Sequence, residues 1–170
     1  KKLNSKIKII SPKIEIERYL YLNNHIEIIN ELIQLSNPNL NEKTIFIFPE
    51  GTLTGLSLRE LKKFKPLFTK NFSKNHKIIL GINSNDKTKV YNSLAVINEN
   101  VDTLTIYSKN KLVPFGEFLP FENLIKKFGF KKITQGYQSF SSASERGLIK
   151  MNDTRFLPLI CYEIIYSGAL

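Results

Sequence analysis

The stretch TIFIFPEG, residues 44–51, is an unbroken run of β-branched and aromatic apolar residues that ends at Pro49. A strand with one wet face alternates apolar and polar positions. A run that is apolar throughout reads instead as a strand covered on both faces, the habit of sheets in layered α/β domains. Glu50 stands just past the end of that strand. In such sheets the strand ends are where ligands are bound.

The surrounding sequence supports the same architecture. IKIIS (residues 7–11) reads as a short strand. ERYLYLNNHIEIINELIQLS (17–36) reads as a helix, with Leu20, Ile26, Ile29, Leu32 and Ile33 at helical spacing. NPNLNEK (37–43) is a loop by its Asn and Pro content. SLRELKKFKPLFTKNF (57–72) predicts a second helix, with Ser57 as N-cap and Glu60 three residues on, although Pro66 opposes an unbroken helix. KIILGIN (77–83), KVYNSLAVI (89–97) and DTLTIYS (102–108) read as further buried strands, the last two joined by the turn NENV. GLIKM (147–151) and TRFLPLICY (154–162) are expected to pair across Asn152 and Asp153. Strand, helix, strand, helix and then a series of strands predict one α/β layered domain over residues 1–170.

One segment fits neither period. Residues 114–145, PFGEFLPFENLIKKFGFKKITQGYQSFSSASE, hold no strand pattern and at most a short helix near FENLIKKF. A connection of this length in a compact domain is usually a functional loop or lid. Its apolar side chains, among them Phe115, Phe118 and Leu119, either pack on the domain or face a lipid or a membrane surface.

Composition narrows the function. Apolar residues make up 42% of the chain, enough for a core, and no window is long and apolar enough to span a bilayer. The net charge is +10, almost all of it lysine; only Arg18, Arg59, Arg146 and Arg155 are arginines. Scattered, arginine-poor charge is a poor nucleic-acid groove, and no nucleic-acid partner is expected. It suits a solvated surface, with a modest attraction to anionic lipid headgroups as the functional alternative. The single cysteine forms no internal disulfide, and with two histidines in the chain a zinc cluster is not expected. The chain starts at Lys1 and its sole methionine is Met151, so a piece of a longer protein is expected.

That cysteine, Cys161, follows the apolar run RFLPLI. A free thiol is only a few per cent thiolate at neutral pH and needs a base or cation beside it to act as a nucleophile. His25 lies inside a predicted helix and His76 in a turn before a strand, so a Cys–His pair is disfavoured. Glu50 and Lys109, each just past a strand end, are better placed. If those ends meet, the carboxylate takes the thiol proton and the ammonium stabilises an oxyanion. Taken one at a time, Glu50 and Lys109 read rather as solvated charges and Cys161 as a buried core thiol; their joint placement at strand ends is what brings the catalytic reading level with that one.

The motifs FPEG (48–51), YSKNKLVPFGEFLP (107–120) and LPLICYE (157–163) resemble the nitrilase, or carbon–nitrogen hydrolase, superfamily. Within it, KLVPFGEFLP followed by ICYE is most similar to the apolipoprotein N-acyltransferase family. The likeness runs from about Ile7 to Ile165. It implies an αββα sandwich, incomplete here on its C-terminal side, and a Glu–Lys–Cys triad of Glu50 as general base, Lys109 and the nucleophile Cys161. Lys111 is expected to be a neighbour only. Glu117, Tyr162 and Glu163 match supporting positions. The resemblance implies ping-pong acyl transfer from a glycerophospholipid, through a Cys161 thioester, to the α-amine of a diacylglyceryl-cysteine of an apolipoprotein. It implies no metal or cofactor, and a domain facing the periplasm at the bacterial inner membrane.

The chain departs from that pattern in three ways. No membrane helices precede the motifs. Tyr19 stands where the family usually has Trp. Only nine residues follow Cys161. The chain alone is therefore expected to be marginally stable and nearly inactive. A soluble amidase of the same superfamily and a non-catalytic basic module binding lipid or nucleic acid are the alternatives. The second leaves Glu50, Lys109 and Cys161 unexplained.

Overall fold

A computed structural model describes residues 5–13, 25–118, 139–151 and 154–169. Strands β1 (Lys6–Ile9), β2 (Thr44–Ile47), β3 (His76–Asp86), β4 (Lys89–Ile97) and β5 (Thr103–Ser108) form one sheet in that order. The first three run parallel; β3–β4 and β4–β5 are antiparallel. TIFI pairs on both sides, with β1 in register Ile45↔Ile7 and with β3 in register Ile45↔Lys77, as a doubly flanked apolar strand should.

Alternation divides the sheet into two faces. Phe46, Ile78, Leu80, Ala95 and Ile97 point to one face, where helix α1 (His25–Ser36) buries Ile29, Leu32 and Ile33 against them. Helix α2 (Leu58–Leu61), a 3₁₀ turn (Lys62–Phe64) and helix α3 (Lys65–Asn71) add Leu61 and Phe68 to this core. Each fully buried side chain of this size contributes roughly 1.5–3 kcal/mol. The expected helix over 57–72 is thus broken into pieces. Pro66 lies in the first turn of α3, where its missing N–H costs nothing. The N-terminus of α2 is as predicted: Ser57 accepts from the Glu60 N–H, and the Glu60 side chain accepts from the Ser57 N–H.

Ile45, Ile79, Val96 and Tyr107 face the other way and pack with Ile149, Met151 and Ile160. Ile149 and Met151 belong to β6 (Ile149–Met151), which pairs antiparallel with β7 (Thr154–Phe156), as expected; Asn152 and Asp153 lie outside the described residues. Strand β7 is shorter than the sequence suggests. Leu157–Ile160 leave the ladder, and a 3₁₀ segment, Cys161–Ala169, follows. Strand β5 is also less buried than a core strand: as the sheet edge it exposes Leu104 and Ile106.

His76 opens β3 and is fully buried, edge-on to Phe46 and Phe72. Its Nδ1 accepts from the Ser73 N–H, so its Nε2 donates to the Asn39 carbonyl. It is a core residue. His25 bonds the Thr54 carbonyl at the start of α1. Tyr19 and the possible helix near residues 121–128 lie outside the described residues.

Candidate active site

The site is assembled at the end of the sheet, on the face opposite α1. Glu50 follows β2 in a turn that passes over Gly81 of β3. A Cβ at residue 81 would stand 3.0 Å from Glu50 Cα and 3.4 Å from its Cβ and Cγ, so the bare backbone of Gly81 is what lets Glu50 sit there.

Asn92, on β4, points to the same face. Its Nδ2 donates to Glu50 Oε1 at 2.9 Å and to Glu117 Oε1 at 2.9 Å. Lys109 is the residue after β5. Its backbone N–H donates to the Asn92 carbonyl at 2.8 Å, which continues the β4–β5 ladder and sets the two side chains side by side. The Lys109 ammonium, 1% exposed, donates to Glu117 Oε1 at 2.9 Å. Four residues from three separate segments therefore form one hydrogen-bonded chain: Glu50, Asn92, Glu117, Lys109.

Glu117 is delivered by a tight turn. The Val113 carbonyl accepts from the Glu117 N–H, the Phe118 carbonyl accepts from the Phe115 N–H, and Phe115 takes φ +61°. Burial acts to raise the carboxyl of Glu117. The Val113 N–H, Asn92 and the Lys109 ammonium outweigh it and hold Glu117 below the ordinary carboxylate range. Glu117 is accordingly a fixed negative partner for the lysine. The 139–145 strap braces this group from outside: the Phe140 N–H donates to the Glu117 carbonyl and the Ala143 N–H to the Lys109 carbonyl.

Cys161 is exposed and adopts φ +52°, a left-handed conformation that costs a non-glycine residue roughly 1–2 kcal/mol. Such a turn between a strand and a helical segment lifts a side chain clear of its neighbours, the device used at nucleophile elbows. The predicted strand end at Cys161 is therefore corrected to a strained turn five residues after β7.

Glu163 holds this turn. It is fully buried and accepts from the Ile160 N–H, the Asn110 N–H, the Lys111 N–H and the Tyr107 hydroxyl, all within 2.9–3.1 Å. Asn110 and Lys111 directly follow Lys109, so the carboxylate joins the cysteine turn to the lysine loop. Burial first, then the Glu163 hydrogen bond and charge, push the Tyr107 hydroxyl up to about 12. Tyr162 is 57% exposed and makes no part of this clamp. Lys111 is exposed at its side chain and contributes only its backbone N–H.

Sequence reasoning missed Asn92 and Tyr107. Both sit inside strand patterns where they read as ordinary ladder positions. The one local signal was a polar residue at position 92, on the face that carries Leu94 and Val96. Among the described residues no group of three or more His, Cys, Asp or Glu is placed to hold a metal ion, and no helix is long and apolar enough to cross a membrane.

Comparison with known proteins identifies the family and the fold. The carbon–nitrogen hydrolase family model matches residues 26–170. A Bradyrhizobium diazoefficiens apolipoprotein N-acyltransferase is 43% identical over 82 residues, 48% of this chain and 15% of that protein. The Rhodopseudomonas palustris apolipoprotein N-acyltransferase is 42% identical over 84 residues, 49% of this chain and 16% of its own length. The chain thus matches about one sixth of these relatives. Among solved structures, the glutamine-dependent NAD+ synthetase of Acinetobacter baumannii superposes with TM-score 0.54 at 19% identity, over 85% of this chain and 26% of that one. A CN-hydrolase superfamily protein of Xanthomonas campestris gives TM-score 0.53 at 15% identity, over 85% of this chain and 50% of its own. These likenesses establish the fold, an α/β nitrilase-type unit present in part. The chain belongs to the carbon–nitrogen hydrolase family.

Proposed function

We propose that this chain carries the catalytic residues of an apolipoprotein N-acyltransferase. Glu50 is the general base, Lys109 the oxyanion donor, Cys161 the nucleophile, and Glu117 the carboxylate that holds the lysine. The observation that supports it most is the hydrogen-bonded chain Glu50–Asn92–Glu117–Lys109, with Glu163 tying the strained Cys161 turn to the lysine loop.

Glu50 removes the thiol proton as sulfur attacks the ester carbonyl of a glycerophospholipid. The Lys109 ammonium stabilises the resulting oxyanion, an effect worth about 3–4 kcal/mol for a well-placed donor. The intermediate collapses to a Cys161 thioester, and Glu50 returns its proton to the departing lysophospholipid oxygen. The α-amine of a diacylglyceryl-cysteine then attacks the thioester. Glu50 takes the amine proton and passes it to the cysteine sulfur as the amide forms. Exposed apolar side chains on either side of the chemistry favour a lipid substrate: Phe115 two residues before Glu117, and Tyr162, Ile164 and Ile165 after Cys161. On this reading the whole protein works at the periplasmic side of the inner membrane, with a phospholipid donor and an apolipoprotein acceptor as partners.

The test is acylation of Cys161. The chain, and a graft of it replacing the matching stretch of the Bradyrhizobium relative, are incubated with phosphatidylethanolamine and read by peptide mass spectrometry. A hydroxylamine-labile acyl group on Cys161 is expected, and Cys161→Ser abolishes the thioester. An unmodified Cys161 in a folded graft sinks the proposal.

A further inference from the structure

We infer that Asn92 is a positioning residue of this site, the group that fixes which oxygen of Glu50 handles the proton. The inference rests on the acyl-transfer reading above. Among the described residues Asn92 is the side chain that touches both carboxylates, through two N–H bonds from one amide nitrogen, each 2.9 Å long. Those bonds keep Glu50 and Glu117 within two hydrogen-bond lengths of each other, where two negative charges repel. A neutral donor between them offsets that repulsion and cannot itself accept the proton in transit.

The amide is aimed from a rigid base. The backbone carbonyl of Asn92 accepts from the Lys109 N–H at 2.8 Å. The next residue, Ser93, is fully buried, and its hydroxyl is bonded to Ser84 at 2.7 Å and to Ser108 at 3.0 Å across the three strands. A functional side chain carried on a braced strand is held more tightly than one on a loop.

The two carboxylates have different tasks. Glu117 must stay ionised, and both its oxygens are committed: Oε1 to Asn92 and Lys109, Oε2 to the Val113 N–H. Glu50 must gain and lose a proton twice per cycle. With Oε1 occupied by Asn92, Oε2 is the oxygen left to carry the proton. Without Asn92 the carboxylate rotates, and a displacement near 1 Å at the reacting centre costs about 10²-fold in rate.

The experiment compares Asn92→Leu and Asn92→Asp with the parent in the graft described above, with the chain itself run in parallel. Formation of acyl-Cys161 is followed in a single turnover against phosphatidylethanolamine concentration and pH. The charged groups facing position 92 among the described residues are Glu50 from the turn after β2, Glu117 from the loop and Lys109 after β5. Asn92→Leu is expected to slow acylation about 10²-fold with half-saturation unchanged. Asn92→Asp is expected to be as slow near about pH 8 and to regain rate toward about pH 5, as its own protonation restores one donor. Neither the parent nor Asn92→Leu shows that recovery, and a purely structural role would not produce it. Should Asn92→Leu fail to fold, the pH response of the nearly isosteric Asn92→Asp carries the test. Rates within about threefold of the parent, or an Asn92→Asp profile parallel to that of the parent, overturn the inference alone. A folded parent graft that leaves Cys161 unmodified overturns the function, and the inference with it.

Discussion

Replacing Glu163 by Gln should cost this chain several kcal/mol while changing almost nothing in shape. Four donors converge on the carboxylate: the N–H groups of Asn110 and Lys111 on Oε1, the Ile160 N–H on Oε2, and the Tyr107 hydroxyl on both. A glutamine has one acceptor oxygen. If its oxygen keeps Asn110 and Lys111, its NH₂ faces the Ile160 N–H, donor against donor. The other orientation orphans two N–H groups, so the first is the cheaper. A hydrogen bond to a buried charge contributes roughly 1.5–3 kcal/mol, and an orphaned buried donor costs a further 1–3 kcal/mol or so. Relief of the buried charge returns part of this. The net loss is about 3–5 kcal/mol, set against a typical domain stability of roughly 5–15 kcal/mol. Urea unfolding followed by circular dichroism measures it, and thermal unfolding should shift down by roughly 6–20 °C. Tyr107→Phe removes one donor and leaves the three backbone N–H groups in place, so it should cost less, about 1–2 kcal/mol. The two losses should not add, because both act on one carboxylate. An E163Q chain within about 1 kcal/mol of the parent would show that the clamp is not what holds the cysteine turn to the lysine loop.

Two further outcomes follow from the same contacts. Gly81→Ala puts a methyl group 3.0 Å from the Glu50 backbone, so the turn after β2 must move. A loss of about 1–3 kcal/mol in stability and about 10²-fold in Cys161 acylation is expected, and an active G81A chain would detach Glu50 from the chemistry. The Tyr107 hydroxyl, pushed up to about 12 from an ordinary 10, gives a pH dependence of definite sign. A folded-state value above the unfolded one contributes stability that is complete below pH 10 and is lost between pH 10 and about 12. The alkaline limb of the unfolding free energy should therefore fall in the parent and flatten in Tyr107→Phe; equal limbs in both would refute the assignment.

The architecture was legible where local pattern and burial coincide. TIFIF could be read because every position is apolar, and such a strand is stable only between layers. Ser57 and Glu60 could be read because a capping box closes within four residues and needs nothing distant. Glu50, Lys109 and Cys161 stood out because a charge or thiol after an apolar run is locally conspicuous. What could not be read was pairing at long range. The β3–β4 hairpin fixes the register that sets Asn92 beside Asn83, and nothing in YNSL announces it. Ser93 and Ser108 look like solvent-face residues, yet their hydroxyls are spent on one another across the ladder. TRFLPLICY reads as one long strand because its residues favour extension. The strand stops at Phe156: Pro158, two residues on, has no N–H to give a ladder, and the Ile160 N–H is spent on Glu163.

That last exchange bears on why a cysteine here is strained at all. Continuing β7 through residue 161 would satisfy the Ile160 N–H in a ladder and leave Cys161 in relaxed extended backbone. The clamp substitutes a buried carboxylate for the ladder partner and accepts a left-handed cysteine at roughly 1–2 kcal/mol. One charge-assisted bond to Ile160 covers that cost, and those to Asn110 and Lys111 add more. The strain is therefore held by the same three backbone groups that register the cysteine turn against Lys109. A side chain pinned this way stays exposed while its backbone is fixed relative to the ammonium. A core thiol needs none of this; the proposed nucleophile, which has to reach Glu50 and Lys109 from another segment, is served by all of it.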